Sequence, residues 1–243
     1  MTCFLTSNIT FRDRCVMIKA NQLVDELARR LPSECRALFV CSDPDNDEAT
    51  DFYADYVKRS LAAEGFSFGS YQVLDSRNES DTCALVKESD LIILAGGHVP
   101  TQNAFFQKIG LKEALAEFSG IVIGISAGSM NSAETVYAQP ELPGEAVDPS
   151  YQRFLSGLGL TKTMLIPHYY SIKDEVLDGL RIIDEITLPD STGRTFYLIP
   201  DGSYLLIEDG REEIHGEAYK VSNGSITRIA DDGDVIYIDK TNG

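Results

Sequence analysis

The chain has 243 residues, 43% of them hydrophobic and 24% charged, the profile of a folded globule rather than a disordered or fibrous chain. With 38 acidic against 21 basic side chains, its formal net charge of −17 repels phosphate backbones and anionic headgroups, which argues against nucleic-acid and membrane partners. No apolar run approaches the ~18 residues of a membrane span, the amino terminus lacks the basic start and long apolar core of a secretory signal, and the five cysteines include no C-x-x-C pair, so reduced thiols and a cytoplasmic location are expected.

In chain order, residues 3–5 read as a short strand. Helical spacing follows at Ala20, Leu23, Val24, Leu27, Ala28 and Leu31, and Pro32 stops it. Residues 37–40 make a second strand, and an acidic loop over 43–48 leads into a helix with Tyr53, Tyr56, Val57 and Leu61 on one face. Residues 68–74 predict a third strand, 81–88 a helix, and 91–94 a fourth strand ending at Gly96-Gly97-His98. A helix over 101–118, broken near Gly110, precedes a fifth strand at 121–123. Such alternation with continuous apolar strands predicts an α/β fold whose mainly parallel sheet is covered on both faces, with ligands beyond the carboxyl ends of its strands.

Residues 139–150 are rich in proline and acid and form a loop. A strand at 164–166 runs into Pro167-His168-Tyr169-Tyr170, and a helix is expected over 174–186. Residues 196–199 form a strand closed by Pro200-Asp201-Gly202, and 204–207 continue after that turn. From Glu212 onward the pattern turns antiparallel, with Asp209-Gly210, Asn223-Gly224 and Asp232-Gly233 as hairpin turns that extend the globule at one edge. With no repeat and no long linker, residues 1–243 read as one domain.

Gly124-Ile125-Ser126-Ala127-Gly128 fits G-x-S-x-G at the end of an apolar strand, the spacing of a nucleophile elbow; the alternative is a tight turn with a serine cap. A serine attacks a carbonyl only if a base takes its proton, and there are three histidines. His98 follows a double glycine, His168 follows a strand and a proline, and His215 lies in an alternating stretch that predicts an exposed hairpin. The N–H groups of Gly97 and Ala127 are candidate oxyanion donors. Two acids, Asp201 and Glu141, are candidates to orient the base. Metal binding is not expected: the Asp43, Asp45, Asp47 run has Glu48 where a calcium loop needs glycine and Ala54 where it needs glutamate, and no H-E-x-x-H occurs.

Taken together, L-T-S-N-I-T near the start, L-A-G-G-H, G-I-S-A-G-S, I-P-H-Y and L-I-P-D-G-S-Y resemble the peptidase E and cyanophycinase family of serine peptidases. That resemblance implies a three-layer, class I glutamine amidotransferase-like (flavodoxin-like) fold with antiparallel hairpins at the carboxyl end. It implies Ser126 as nucleophile, His168 as general base, and Gly97 and Ala127 as oxyanion donors. The family's acid in the P-[ED]-G turn matches Asp201 and a second proposed acid matches Glu141; Asp201 is favoured because a turn at a strand end holds a carboxylate more rigidly. His98 and Tyr169 are the expected substrate contacts, with a short peptide as substrate, dipeptidase-like hydrolysis, no cofactor, and a monomer or homodimer as the assembly. Gly-Gly-His stands where peptidase E has Gly-Gly-Asn, and only Arg181 and Arg194 are candidates to hold an N-terminal aspartate. The rival readings are an esterase with the later His215 as base, and a binding protein that has lost catalysis.

Overall fold

A computed structural model describes residues 1–11 and 14–238. Its largest sheet has five parallel strands: β1 (Thr2–Thr6), β2 (Cys35–Val40), β3 (Phe68–Leu74), β4 (Leu91–Leu94) and β5 (Ile121–Ile125), in the spatial order β1-β5-β4-β2-β3. Beyond β1 the same sheet continues antiparallel through Tyr204–Glu208, Arg211–His215 and Val235–Tyr237. The central strands β4 and β5 are buried on both faces, as a parallel sheet with helical cover requires, while the edge strand β3 is largely not.

Alternate residues of each strand feed two separate cores. Leu5, Leu38, Val40, Ile92, Leu94 and Val122 point to one face, where they meet Val86 of α3 (Thr82–Glu88) and Phe105 and Phe106 of α4 (Val99–Lys108). Phe4, Phe39, Ile93 and Ile123 point to the other, against Leu23 and Leu27 of α1 (Leu23–Ala28) and Val57 and Leu61 of α2 (Asp47–Ala63). At roughly 1.5–3 kcal/mol per fully buried large aliphatic or aromatic side chain, these two layers dominate the driving force for the fold. The break expected near Gly110 is present: α4 stops at Lys108, Gly110 has φ 60°, and a short helix resumes at Leu111.

A second, four-stranded sheet pairs Met164–Ile166 in parallel with Thr195–Leu198, then adds Ala218–Ser222 and Ser225–Ala230. The carboxyl-terminal hairpins are therefore shared between two sheets rather than extending one edge. The helix expected over 174–186 is absent. Val176–Leu177 and Leu180–Arg181 instead form a small hairpin around Asp178-Gly179, both with positive φ (53° and 84°), and Ile182–Thr187 is a π-helical segment. Two consecutive left-handed residues suit a type I′ hairpin and interrupt a helix. Among the described residues the cysteines are unpaired, and no helix is long and apolar enough to cross a membrane.

Candidate active site

The site lies where four neighbouring strand ends of the large sheet meet two parallel strand ends of the smaller one. β1 leads to Ser7, β2 to Ser42, β4 to Gly96-Gly97 and β5 to Ser126. Met164–Ile166 leads to His168, and Thr195–Leu198 to Asp201. These ends border a cleft of about 830 Å³ lined by Ser126, His168, Gly97, His98 and Glu141, with the aromatic side of α2 across from them. Size and position fit a small-molecule or peptide site beyond the carboxyl ends of a parallel sheet.

The turn at Ser126 carries its strain on the serine itself, with φ 51° and ψ −111°. Such a conformation costs on the order of 1–3 kcal/mol and persists only where its surroundings fix it. The fixing contacts are backbone hydrogen bonds from Ser126 N–H to the Thr6 carbonyl and from Gly128 N–H to the Ala95 carbonyl, and one from the Ser129 hydroxyl to Thr6 O at 2.8 Å. The flanking glycines make room rather than absorb strain. A Cβ at Gly128 would lie 2.4 Å from the Leu94 carbonyl oxygen, and one at Gly124 would lie 2.9 Å from Ser129 Cα. The helix that follows spans only Ala127–Asn131 and is buried throughout.

Ser126 Oγ is 2.9 Å from His168 Nε2, and His168 Nδ1 is 2.7 Å from Asp201 Oδ1. His168 is itself left-handed (φ 59°, ψ 34°), which turns its ring out of the strand direction and over the serine. Ser7, on the motif at the end of β1, ties the other two strands together. Its hydroxyl donates to Asp201 Oδ1 at 2.7 Å and accepts the His168 backbone N–H at 2.8 Å. Burial raises the Asp201 carboxyl, but the hydrogen bonds from His168 and Ser7 outweigh it and hold the group below the usual carboxylate range. It is therefore a carboxylate at neutral pH. Sequence reasoning assigned Ser7 no role, and its only signal was membership of the L-T-S-N-I-T stretch.

Gly97 follows β4, the direct neighbour of β5. A side chain there would collide with Ser42, its Cβ falling 2.3 Å from Ser42 Oγ and 2.6 Å from Ser42 Cβ. Among the described residues, the N–H groups of Gly97 and Ala127 serve no other backbone or side-chain acceptor. His98 lines the cleft but is committed: Nδ1 is 2.8 Å from Thr101 Oγ1 and Nε2 is 2.8 Å from Glu145 Oε1. Glu141 lines the cleft, and among the described residues no hydrogen bond or ion pair joins it to His168.

Several expected residues lie elsewhere. The Tyr169 ring is outside the cleft and packs on Tyr219, with centroids 4.3 Å apart. Arg181 pairs with Asp184, and the Arg194 guanidinium lies 4.1 Å from the centre of the Phe154 ring; neither lines the cleft. His215, expected on an exposed hairpin, is buried, its ring stacked on Tyr204 at 4.7 Å; burial lowers its pKa, and it does not line the cleft. The alternation around it was real, but the face that His215 shares with its cross-strand partner Tyr204 is turned toward the core rather than to solvent. Among the described residues no group of histidines, cysteines and acids is arranged to hold a metal ion.

A parallel sheet with an elbow serine, and an imidazole and a carboxylate brought to it from other strand ends, defines a hydrolase-type α/β protein. The chain belongs to peptidase family S51, whose model matches residues 3–215, and is a serine-type peptidase. Among solved structures it is similar to a peptidase from an acI-B1 Actinobacterium, with a TM-score of 0.68 and 15% identity over 98% of this chain and 96% of that one. It is also similar to a putative peptidase E protein from Listeria monocytogenes EGD-e, with a TM-score of 0.56 and 16% identity over 94% of this chain and 98% of that one. Both likenesses are of fold. A search of curated proteins gave no match.

Proposed function

We propose that the protein hydrolyses short peptides with Ser126 as nucleophile, His168 as general base and Asp201 as the orienting carboxylate. The observation that carries this reading is the unbroken hydrogen-bonded line from Ser126 through His168 to Asp201 at the floor of an open cleft. In the attack step, Ser126 Oγ bonds to the scissile carbonyl carbon as its proton passes to His168 Nε2. Asp201 keeps the Nδ1 proton in place and stabilises the imidazolium. The carbonyl oxygen, now an oxyanion, takes hydrogen bonds from the Gly97 and Ala127 N–H groups. The imidazolium then protonates the leaving amine, and water, activated by the same imidazole, releases the acyl group and restores the serine. Glu141 is not the orienting acid in this scheme.

Labelling with a fluorophosphonate tests the nucleophile directly. Ser126 is expected to be the modified residue, and Ser126→Ala is expected to abolish labelling and to lower kcat/KM on dipeptides by ~10⁴-fold or more. Labelling at another serine, or peptide turnover that survives Ser126→Ala, would overturn the assignment.

A further inference from the structure

The cleft has the wrong charge for an anionic substrate residue. Among the described residues, its walls carry the carboxylates of Asp43 and Glu141 and no lysine or arginine. Glu141 is the more informative of the two. It sits in the proline-flanked loop, and that loop is pinned from behind by Glu145, whose Oε2 accepts the backbone N–H groups of Glu141 and Leu142 at 2.9 Å each. The other oxygen of Glu145 is held by His98. Asp178 adds a second clamp, accepting the Gly144 N–H at 2.9 Å and the Ala146 N–H at 3.1 Å.

The loop is thus held rigidly, and what it presents to the cleft is a carboxylate that no hydrogen bond or ion pair reaches among the described residues. Glu141 keeps solvent-accessible surface at the cleft mouth, yet protein atoms crowd its carboxyl. That crowding, together with the negative charges of Glu145 and Glu175, pushes the group up to about 7. A carboxylate held among like charges on the wall of the cleft that also holds Ser126 can receive a cation, and among the described residues the protein supplies none. On the facing wall, Phe52 and Tyr53 of α2 are each 58% exposed and offer apolar surface to a side chain.

We infer that Glu141 is a substrate-binding residue that receives a cationic nitrogen of the peptide, an N-terminal ammonium or a basic side chain, so that the cleft selects positively charged short peptides rather than peptides beginning with aspartate. The inference rests on the cleft being the peptide site proposed above, and its test reads binding separately from turnover.

Ser126→Ala protein is titrated calorimetrically at pH 8 with Phe-Ala, N-acetyl-Phe-Ala, N-acetyl-Lys-Ala and Asp-Ala. Phe-Ala is expected to bind about 30-fold more tightly than its acetylated form, the scale of one hydrogen bond between charged groups. Adding Glu141→Gln is expected to shrink that ratio to about threefold, whereas Glu141→Asp, which keeps the charge, retains most of it. Asp-Ala is expected to bind more weakly than Phe-Ala. Recovery of affinity by N-acetyl-Lys-Ala alone assigns the cation to the side chain rather than the terminus. Equal binding of all four peptides, a preference for Asp-Ala, or a cation-dependent gain in affinity, from terminus or side chain, that Glu141→Gln leaves unmoved would overturn the inference. Cation-dependent binding in a protein whose Ser126-intact form hydrolyses none of these peptides would sink the peptidase reading and leave this one standing.

Discussion

The two walls of the cleft are built on opposite plans. On the serine wall, Ser126, His168, Asp201 and Ser7 stand at strand ends, and each polar side chain is already engaged with another. Away from the serine, the lining comes from α2 on one side and the loop over 139–150 on the other, which present exposed aromatic rings and a carboxylate without a protein partner among the described residues. Rigid, mutually satisfied groups suit bond-making geometry, and open, unsatisfied ones suit recognition of something not yet present. Substitutions on the first wall should therefore act on turnover, and those on the second on binding and stability.

The largest expected effect is on the serine wall. Asp201→Asn leaves the shape of the turn but favours the wrong imidazole tautomer, and kcat is expected to fall by ~10³–10⁴-fold with little change in KM. Gly97→Ala comes next, since its methyl group would overlap Ser42 and shift the N–H proposed as an oxyanion donor. Loss of one such donor is worth ~10²–10³ in kcat, so steady-state kinetics with an unchanged far-ultraviolet spectrum would separate this from misfolding. Ser7→Ala removes one hydrogen bond to Asp201 and one acceptor for the His168 backbone, and a ~10–30-fold loss in kcat is expected. Ser7 supplies one of the hydrogen bonds that lower the Asp201 carboxyl, so that carboxyl rises toward its ordinary range in the variant. An unchanged kcat in Ser7→Ala would reduce Ser7 to a packing residue.

The smallest effect belongs to the recognition wall, and its sign is opposite to that of most charged groups. The Glu141 carboxyl is raised from an ordinary 4.5 to about 7, so the folded chain holds this proton more tightly than the unfolded chain does. The folded state is therefore penalised as pH climbs from 4.5 through about 7, where the unfolded chain has already lost the proton. Glu141→Gln should raise Tm at pH 8 and leave it unchanged at pH 4. After discounting for solvent screening at the cleft mouth, a gain of about 2 °C is expected by calorimetry. A variant that is less stable at pH 8 would show that Glu141 holds the loop rather than serving a ligand.

The centre of the parallel sheet was legible because its strands are buried on both faces and read as unbroken apolar runs, such as Leu91–Leu94. The region after Asp174 was not. Leu177 and Leu180 are three residues apart both in a helix, where they share a face, and in a two-residue hairpin, where they pair across the turn; Asp178-Gly179 decides for the hairpin. His215 differs from expectation for a related reason, since alternation reports a strand but not which of its faces is turned to the core. Of the site, the elbow serine announced itself by spacing. Between Asp201 and Glu141, turn context favoured Asp201, but the distance itself depends on how two separate sheets meet. Ser7 had no signal of its own: its partners lie 161 and 194 positions away along the chain.

The strand bearing the imidazole and the strand bearing the carboxylate are matched over only three positions, from Met164 opposite Phe196 to Ile166 opposite Leu198. Sliding that short ladder by one step would carry the acid ~3.3 Å along the strand, further than the hydrogen bond it makes. The span between acid and base is thus measured out by main-chain pairing, like teeth on a ruler. Drift in sequence can repaint the side chains around it without touching the interval, while a single inserted residue between Ile166 and His168 would lose it.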